Sequence, residues 1–285
     1  MRALSVQAPA KVNLYLHVTG RRPDGYHLLD SLFVFTTDGD VISVRNSETL
    51  SLKMTGAYAG MLSSTEDNIV LKAARALADA AGVRPDAEIT LEKNLPVASG
   101  IGGGSADAAA TLKALIRLWH LSVPEEKLYE IALKLGADVP SCLASKAVQV
   151  SGIGDVLTPA PALPELFILL VNPNKPVSTP AVFKTRVPVF SKANPFTRAE
   201  TDFDTFISHL SERHNDLCDA ACLLEPSVRS VLDTLSADPL CRLAAMSGSG
   251  GTCFGLFRRF EDATLCCERI RAVHPEWWFL NTRVV

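Results

Sequence analysis

The 285-residue sequence contains no Cys-x-x-Cys pair, although it carries seven cysteines. Cys218 and Cys222 are separated by three residues, and Cys266 and Cys267 are adjacent. His and Cys do not gather at ligand spacing, which argues against a structural zinc site. An odd cysteine count without a framework spacing fits reduced, mostly buried thiols in a cytosolic protein. Long apolar runs are missing too. The longest, LFILLV at 166–171, falls far short of the ~20 residues that cross a bilayer. The opening stretch MRALSVQAPAKVN lacks the apolar segment of a secretory signal, so a cytoplasmic protein without a membrane role is expected. No segment is strongly basic and the net charge is −3, which argues against a nucleic-acid partner. An anionic ligand would have to be met by backbone N–H groups and a few cations. There is no internal repeat and no low-complexity tract.

One stretch is rich where the rest is ordinary. LPVASGIGGGSADAAATL, residues 95–112, packs Gly100, Gly102, Gly103, Gly104 and Ser105 around a single Ile101 and then turns into helix formers. Glycine is costly to order and is kept where φ is positive or another group comes close. A helix start offers unpaired N–H groups and partial positive charge, so a bare loop running into one makes an anion cradle. A tight packed loop is the competing reading.

The surrounding pattern is α+β. Residues 11–19 alternate, with Val12, Leu14, Leu16 and Val18 opposite Lys11, Asn13, Tyr15 and His17, which predicts a half-buried strand. RRPDGYH at 21–27 is a turn. Further strands are expected at 28–36, 41–46 and 50–54. A helix over 70–81 follows from the stripe Val70, Ala73, Ala74, Leu77, Ala80, Ala81, stopped by Gly82. A strand at 87–94 enters the glycine stretch. The next helix carries Leu112, Leu115, Ile116 and Trp119, and another runs from Pro124 to Gly136. ADVPSCL at 137–143 is expected to be a loop, AVQVSGIG a strand, and TPAPALPEL at 158–166 a linker. Beyond it come a strand at 166–171, helices near 178–186, 200–210 and 215–240, a second small-residue loop at 246–254, and a closing strand–helix–strand. The domains are expected at 1–162 and 163–285.

Two common phosphate loops fail on spacing. A Walker loop needs Gly-Lys-Ser/Thr, whereas here the glycines are followed by Ser105-Ala106-Asp107. A dinucleotide fingerprint would need a third glycine where Ser105 stands, and no acidic residue ends a following strand.

PVASGIGGGSADAA resembles the second motif of the small-molecule kinases named after galactokinase, homoserine kinase, mevalonate kinase and phosphomevalonate kinase, the GHMP kinases. PAKVNLYLHVTGRRPDGYHLLDSLF at 9–33, LGADVPSCL at 135–143 and MSGSGGTCF at 246–254 resemble further signatures, in family order, of its members that act on a cytidine diphosphate-bearing alcohol. Ser99 and Ile101 are mild departures, standing where glycine or alanine and leucine are frequent. The resemblance implies a two-domain α+β fold with the active site in the interdomain cleft. It implies ATP-dependent phosphorylation of the 2-hydroxyl of 4-diphosphocytidyl-2-C-methyl-D-erythritol, in the non-mevalonate route to isoprenoid precursors. Homoserine, mevalonate or another small alcohol as substrate, or a non-catalytic nucleotide-binding paralogue, are the alternatives.

By the same resemblance Lys11 and Asp138 fall on catalytic positions. Phosphoryl transfer is mostly positioning and charge stabilisation, a carboxylate in reach can take the hydroxyl proton, and a close ammonium favours its ionised form. Pro96, Val97, Ala98, Ser99, Gly100, Ile101, Gly102, Gly103, Gly104, Ser105 and Ala106 are expected around the ATP phosphates, with Asn68 on the nucleotide side or as a plain helix cap. Mg²⁺ is expected from the chemistry, with the Ser105 hydroxyl as its one candidate protein ligand. Asn13, Tyr26, His27 and Phe183 are expected at the substrate, with Tyr26 and Phe183 as walls around a cytosine. Asp107 is expected to complement the helix dipole, His214–Asp216 to cap or lie on the surface, and Trp277–Trp278 to pack. The oligomeric state is left open.

Overall fold

The computed structural model describes residues 3–63 and 67–285. Two long strands open the chain, β1 (Leu4–Arg21) and β2 (His27–Asn46), paired through the turn at 22–26. Gly25 takes φ 94° there, and Arg22 N–H donates to the Tyr26 carbonyl. The expected break between 36 and 41 is absent: β2 runs straight through Thr37-Asp38-Gly39-Asp40. Gly39 permits this, since a Cβ at that position would overlap the Ala8 carbonyl. β2 carries the antiparallel β4 (Ala87–Glu92) along residues 41–46, with β3 (Ser51–Thr55) parallel beyond it. Along residues 31–33 it carries β5 (Val148–Ser151), followed by β6 (Val156–Pro159). The start of the Pro-rich stretch, expected to be linker, is therefore strand.

The chain separates into two compact units. The first comprises the residues up to Lys11, Asp38–Val97 and Gly102–Lys146. Its helices are α1 (Ile69–Ala81), α2 (Gly103–Leu118), α3 (Glu125–Leu135) and α4 (Val139–Ala144). The α1 stripe buries Val70, Ala73, Ala74 and Leu77, while Ala80 and Ala81 end exposed ahead of Gly82, which closes the helix at φ 67°. The α2 face is alanine-rich, with Ala108, Ala109 and Ala114 buried beside Leu112 and Leu115. α4 corrects the loop expected at 137–143. It is only six residues long with Pro140 in its first turn, too short to show a helical period.

The second unit comprises Val12–Thr37, Ala98–Ile101 and Ala147–Val285. A four-stranded antiparallel sheet, β10 (Trp278–Arg283), β7 (Phe167–Asn172), β9 (Cys253–Phe257), β8 (Leu243–Met246), is packed by α8 (Pro226–Ala237) and α9 (Phe260–Val273). α5 (Thr179–Thr185) packs on α7 (Cys218–Leu224), and α6 (Phe203–Ser211) buries Phe206 and Leu210. The core gathers Leu169, Val171, Val231, Phe257, Ile270 and Trp277.

β1 departs from the half-buried expectation. Lys11, Asn13, Tyr15 and His17, its polar face, are as buried as its apolar face. Buried polar groups persist only when paired, and these are. Tyr15 OH donates to Asp30 Oδ1 at 2.9 Å and His17 Nδ1 lies 3.3 Å from Asp30 Oδ2. Burial lifts the Asp30 carboxyl, but hydrogen bonds from His17, the Asn194 N–H and Tyr15 outweigh it and hold the group below its ordinary range. Burial and then the Asp30 charge push the Tyr15 phenol well up.

Candidate active site

In the first unit, Lys11 Nζ lies 3.1 Å from Asp138 Oδ2. Lys11 projects from β1 with its side chain 6 % exposed, while Asp138, at 32 %, keeps an open side. Asp138 precedes α4 but makes no capping bond with its carboxylate; its carbonyl accepts from Ser141 Oγ and the Cys142 N–H. The side chain is thus left for the ammonium. A carboxylate with one accessible face and a fixed cation beside it is able to accept a hydroxyl proton.

The Lys11 stem is seated against the glycine loop. A side chain at Gly102 would meet Lys11 Cβ and Cε at 3.1 Å, and Gly102 sits at φ 64° as the residue before α2. A side chain at Gly104 would meet no protein atom, so the first turn of α2 is bare on that side. Ser105 and Ala106 follow within the helix. Pro96 is buried, Val97 is half-buried, and Ala98 is exposed with φ 52°. The Ile101 side chain is fully buried and anchors the loop.

Asn68 is the N-cap of α1: its Oδ1 accepts from the Val70 N–H at 2.9 Å and its Nδ2 donates to the Ser63 carbonyl. Asn68→Ala is expected to cost about 1 kcal/mol of stability, measured by urea denaturation. An unchanged KM for ATP in that variant identifies a cap only; a large rise identifies a nucleotide contact as well.

Asp107 is not the dipole-complementing residue the sequence suggested. It lies beyond the first turn of α2, buried, with Oδ2 2.7 Å from Lys93 Nζ. Lys93 also reaches Asp40 Oδ2 at 2.5 Å, and Asp40 Oδ1 accepts the Asn94 and Leu95 N–H groups. Asp107 Oδ1 is buried with no hydrogen-bond partner. Burial, with the Asp40 charge adding to it, pushes the Asp107 carboxyl up to about 7 against the pull of Lys93. Burial opposes the Lys93 charge, but the two carboxylates prevail and raise its pKa. A side chain at Gly103 would come within 3.0 Å of Lys93 Nζ, so this cluster sits directly beneath the start of α2.

In the second unit, the loop at 246–252 locks onto residues 99–100. Ser247 Oγ donates to the Gly100 carbonyl and accepts the Asn13 N–H, both at 3.0 Å, and the Thr252 N–H donates to the Ser99 carbonyl. Gly100 has φ 76°, and a Cβ there would lie 2.5 Å from the Ser247 carbonyl oxygen. The Asn13 side chain donates to Ser31 Oγ at 2.9 Å. Asn215, for which the sequence predicts a cap or surface role, donates from Nδ2 to the Met246 and Gly248 carbonyls and is a buried brace for this loop. Its neighbour Asp216 accepts the Val18 N–H.

Phe183, on α5, stacks on His27, with ring centroids 4.9 Å apart and planes at 25°. Tyr26 is 61 % exposed at the tip of the β1–β2 turn. Burial first, then Arg186 and Arg21, pull the His27 imidazole below its ordinary pKa. A neutral imidazole presents one donor and one acceptor.

Residues 68–146 match the family described as GHMP kinases N terminal domain, and residues 197–276 match GHMP kinases C terminal. The chain belongs to the GHMP kinases, as ATP-dependent small-molecule kinases of α+β fold. It is 53 % identical over 278 residues to the 4-diphosphocytidyl-2-C-methyl-D-erythritol kinase of Rhodospirillum rubrum, covering 98 % of this chain and 91 % of that one. It is 51 % identical to the protein of the same name from Paramagnetospirillum magneticum, over the full length of both. A crystal structure of 4-(cytidine 5'-diphospho)-2C-methyl-D-erythritol kinase superposes with a TM-score of 0.81 at 32 % identity, covering 99 % of each chain. Mevalonate kinase of L. major, solved with R-mevalonate, shares the fold at a TM-score of 0.66 and 14 % identity, covering 100 % of this chain and 98 % of that one.

Proposed function

We propose that the chain transfers the γ-phosphoryl group of ATP to the 2-hydroxyl of 4-diphosphocytidyl-2-C-methyl-D-erythritol, a step of the non-mevalonate route to isoprenoid precursors. The observation that carries the chemistry is the Lys11–Asp138 pair at 3.1 Å with the Lys11 stem against Gly102. In this reading Asp138 accepts the hydroxyl proton as the oxygen attacks, and Lys11 holds the carboxylate and offsets the charge forming on the alkoxide. Backbone N–H groups of 101–105 and the start of α2 bind the β- and γ-phosphates.

Mg²⁺ bound with the nucleotide offsets phosphate charge. Among the described residues no group of three or more His, Cys, Asp or Glu is placed to hold a metal. The Ser105 hydroxyl is a hard oxygen donor of the kind that ion takes alongside phosphate oxygens and water, so Ser105 is its one proposed protein ligand. The cytosine is assigned to His27, Phe183 and Tyr26: a neutral imidazole edge suits a ring carrying both a donor and an acceptor, and aromatic faces suit stacking. All seven cysteines are free, and among the described residues no helix is long and apolar enough to cross a membrane. Both fit a cytoplasmic enzyme of small-molecule metabolism.

ADP release measured with three alcohols tests the assignment. Turnover is expected with the cytidine diphosphate-linked alcohol and not with mevalonate or homoserine, which have no base to stack. Equal turnover of all three contradicts it. Phe183→Ala is expected to raise KM for the cytidine substrate by about tenfold and to leave KM for ATP unchanged; the reverse pattern removes Phe183 from the substrate site.

A further inference from the structure

α7 carries two thiols on one face. Cys218 and Cys222 are one turn apart, with their sulfurs 4.0 Å from each other and both side chains partly exposed. Within the pair, the hydrogen bond from Cys218, and then the Arg229 charge from α8, outweigh burial and bring the Cys222 thiol down to about 7, while the same hydrogen bond, with burial, pushes the Cys218 thiol well up. Cys142, Cys241, Cys253, Cys266 and Cys267 are all pushed up, chiefly by burial. Thiolate character and exposure select which cysteine reacts, and Cys222 combines a lowered pKa with partial exposure and a second thiol in contact.

α7 also bears on the loop that grips Gly100. Ala221, between the two cysteines, lies with its Cβ 3.0 Å from where a side chain on Gly250 would begin. The helix is preceded by Asn215, whose amide holds the Met246 and Gly248 carbonyls, and it packs on α5, which carries Phe183.

We propose that Cys218 and Cys222 form a peroxide-sensitive dithiol whose closure to an intrahelical disulfide shifts α7 against the 246–252 loop and lowers kinase activity. In the first step the Cys222 thiolate attacks one oxygen of hydrogen peroxide. The O–O bond breaks, and the departing hydroxide takes up the proton the thiol had released, giving water and a sulfenic acid. In the second step the Cys218 sulfur attacks the Cys222 sulfur. The S–O bond breaks, and hydroxide leaves with the Cys218 proton as a second water. The two thiols lose two electrons in all and one peroxide gains them.

Bond closure cannot leave the helix unchanged. Side chains four apart on a helix have Cβ atoms about 5–6 Å apart, whereas a disulfide needs about 3.5–4.5 Å. The turn carrying Ala221 must therefore contract by about an ångström or more, in a helix of only seven residues.

The test uses the full chain, treated with hydrogen peroxide and then blocked with iodoacetamide. Mass spectrometry is expected to show a peptide spanning 218–222 that has lost two hydrogens and takes no alkylating label. Activity is expected to fall by roughly fivefold or more and to return with dithiothreitol. Cys222→Ser is expected to keep its activity before and after peroxide, and Cys218→Ala serves in the same way should the serine variant not fold. An unlinked, fully alkylated peptide in the wild-type chain overturns the proposal. A linked peptide with unchanged activity overturns its regulatory half, as does equal inactivation of Cys222→Ser. The activity arm rests on the kinase reading, and a chain that is inactive before treatment counts against that reading; the mass arm is independent of it.

Discussion

Asp138→Asn is expected to lower kcat by about three orders of magnitude while KM for ATP moves by less than about threefold. Asparagine keeps the shape of the side chain that lies 3.1 Å from Lys11 in the wild-type chain, but it cannot accept the proton. The hydroxyl to be phosphorylated is a tertiary alcohol, a poor acid and a hindered nucleophile, so its oxygen needs both a proton acceptor and a nearby positive charge in the transition state. Lys11→Met is expected to fall in the same range, because it removes the cation that orients the carboxylate. The double variant is expected to be little worse than either single one, as residues acting as a unit are not additive. Steady-state kinetics at saturating ATP measures all three. A kcat close to wild type for Asp138→Asn removes the general base from the account and leaves proton transfer directly to phosphate.

The second large effect is on stability. Lys93→Met leaves the buried carboxylates of Asp40 and Asp107 facing each other without the ammonium that both contact. Breaking a buried ionic cluster from one side costs about 3–5 kcal/mol, to be read from urea denaturation.

Asp107→Asn is expected to behave in the opposite way. The cluster holds one positive charge and two carboxylates, and Asp107 Oδ1 has no partner; the amide removes the excess negative charge and keeps the shape. The sign of the pH dependence follows from the raised carboxyl. With a folded-state pKa of about 7 against an ordinary value near 4, the folded chain binds a proton more tightly than the unfolded chain between those limits. Its contribution to stability is complete below about pH 4 and is lost as pH rises to about 7. Asp107→Asn is therefore expected to gain in melting temperature relative to wild type as pH rises through that window. A difference that is flat or falling with pH contradicts the cluster's assignment.

Legibility in the sequence followed the range of the interaction. The α1 stripe as far as Leu77, its Gly82 stop and the helix that starts after Gly102 are written in neighbouring residues, and these form as expected. The second loop was visible as a run of small residues, but its supports were not: Asn215 and Ser247 reach their partners across the fold, and nothing local marks them. α4 escaped because six residues with a proline give no period. The continuity of β2 escaped because Thr-Asp-Gly-Asp has the composition of a turn, and only the passage of Ala8 against Gly39 explains an unbroken strand there.

β1 departs furthest from its sequence pattern. Alternation of polar and apolar residues predicts one wet face and one dry face, yet both are buried, because each polar group meets a partner from elsewhere in the chain. Lys93 and Asp107 escaped in the same way. Each alone has the look of a surface charge, and the only local hint is that Asp107 sits among alanines on the inner face of α2. The pairing of Lys11 with Asp138 was accessible only through resemblance, since no spacing argument connects residues so far apart.

The most direct test of the central claim is where the phosphate goes. The chain is incubated with ATP, Mg²⁺ and 4-diphosphocytidyl-2-C-methyl-D-erythritol, and the product is examined by phosphorus NMR with proton coupling retained. The account predicts one new phosphomonoester signal with no coupling to a proton on the ester carbon, because C2 bears a methyl group and no hydrogen, and ADP formed in equal amount. A phosphomonoester split by a carbon-bound proton, or ADP accompanied only by inorganic phosphate, contradicts it.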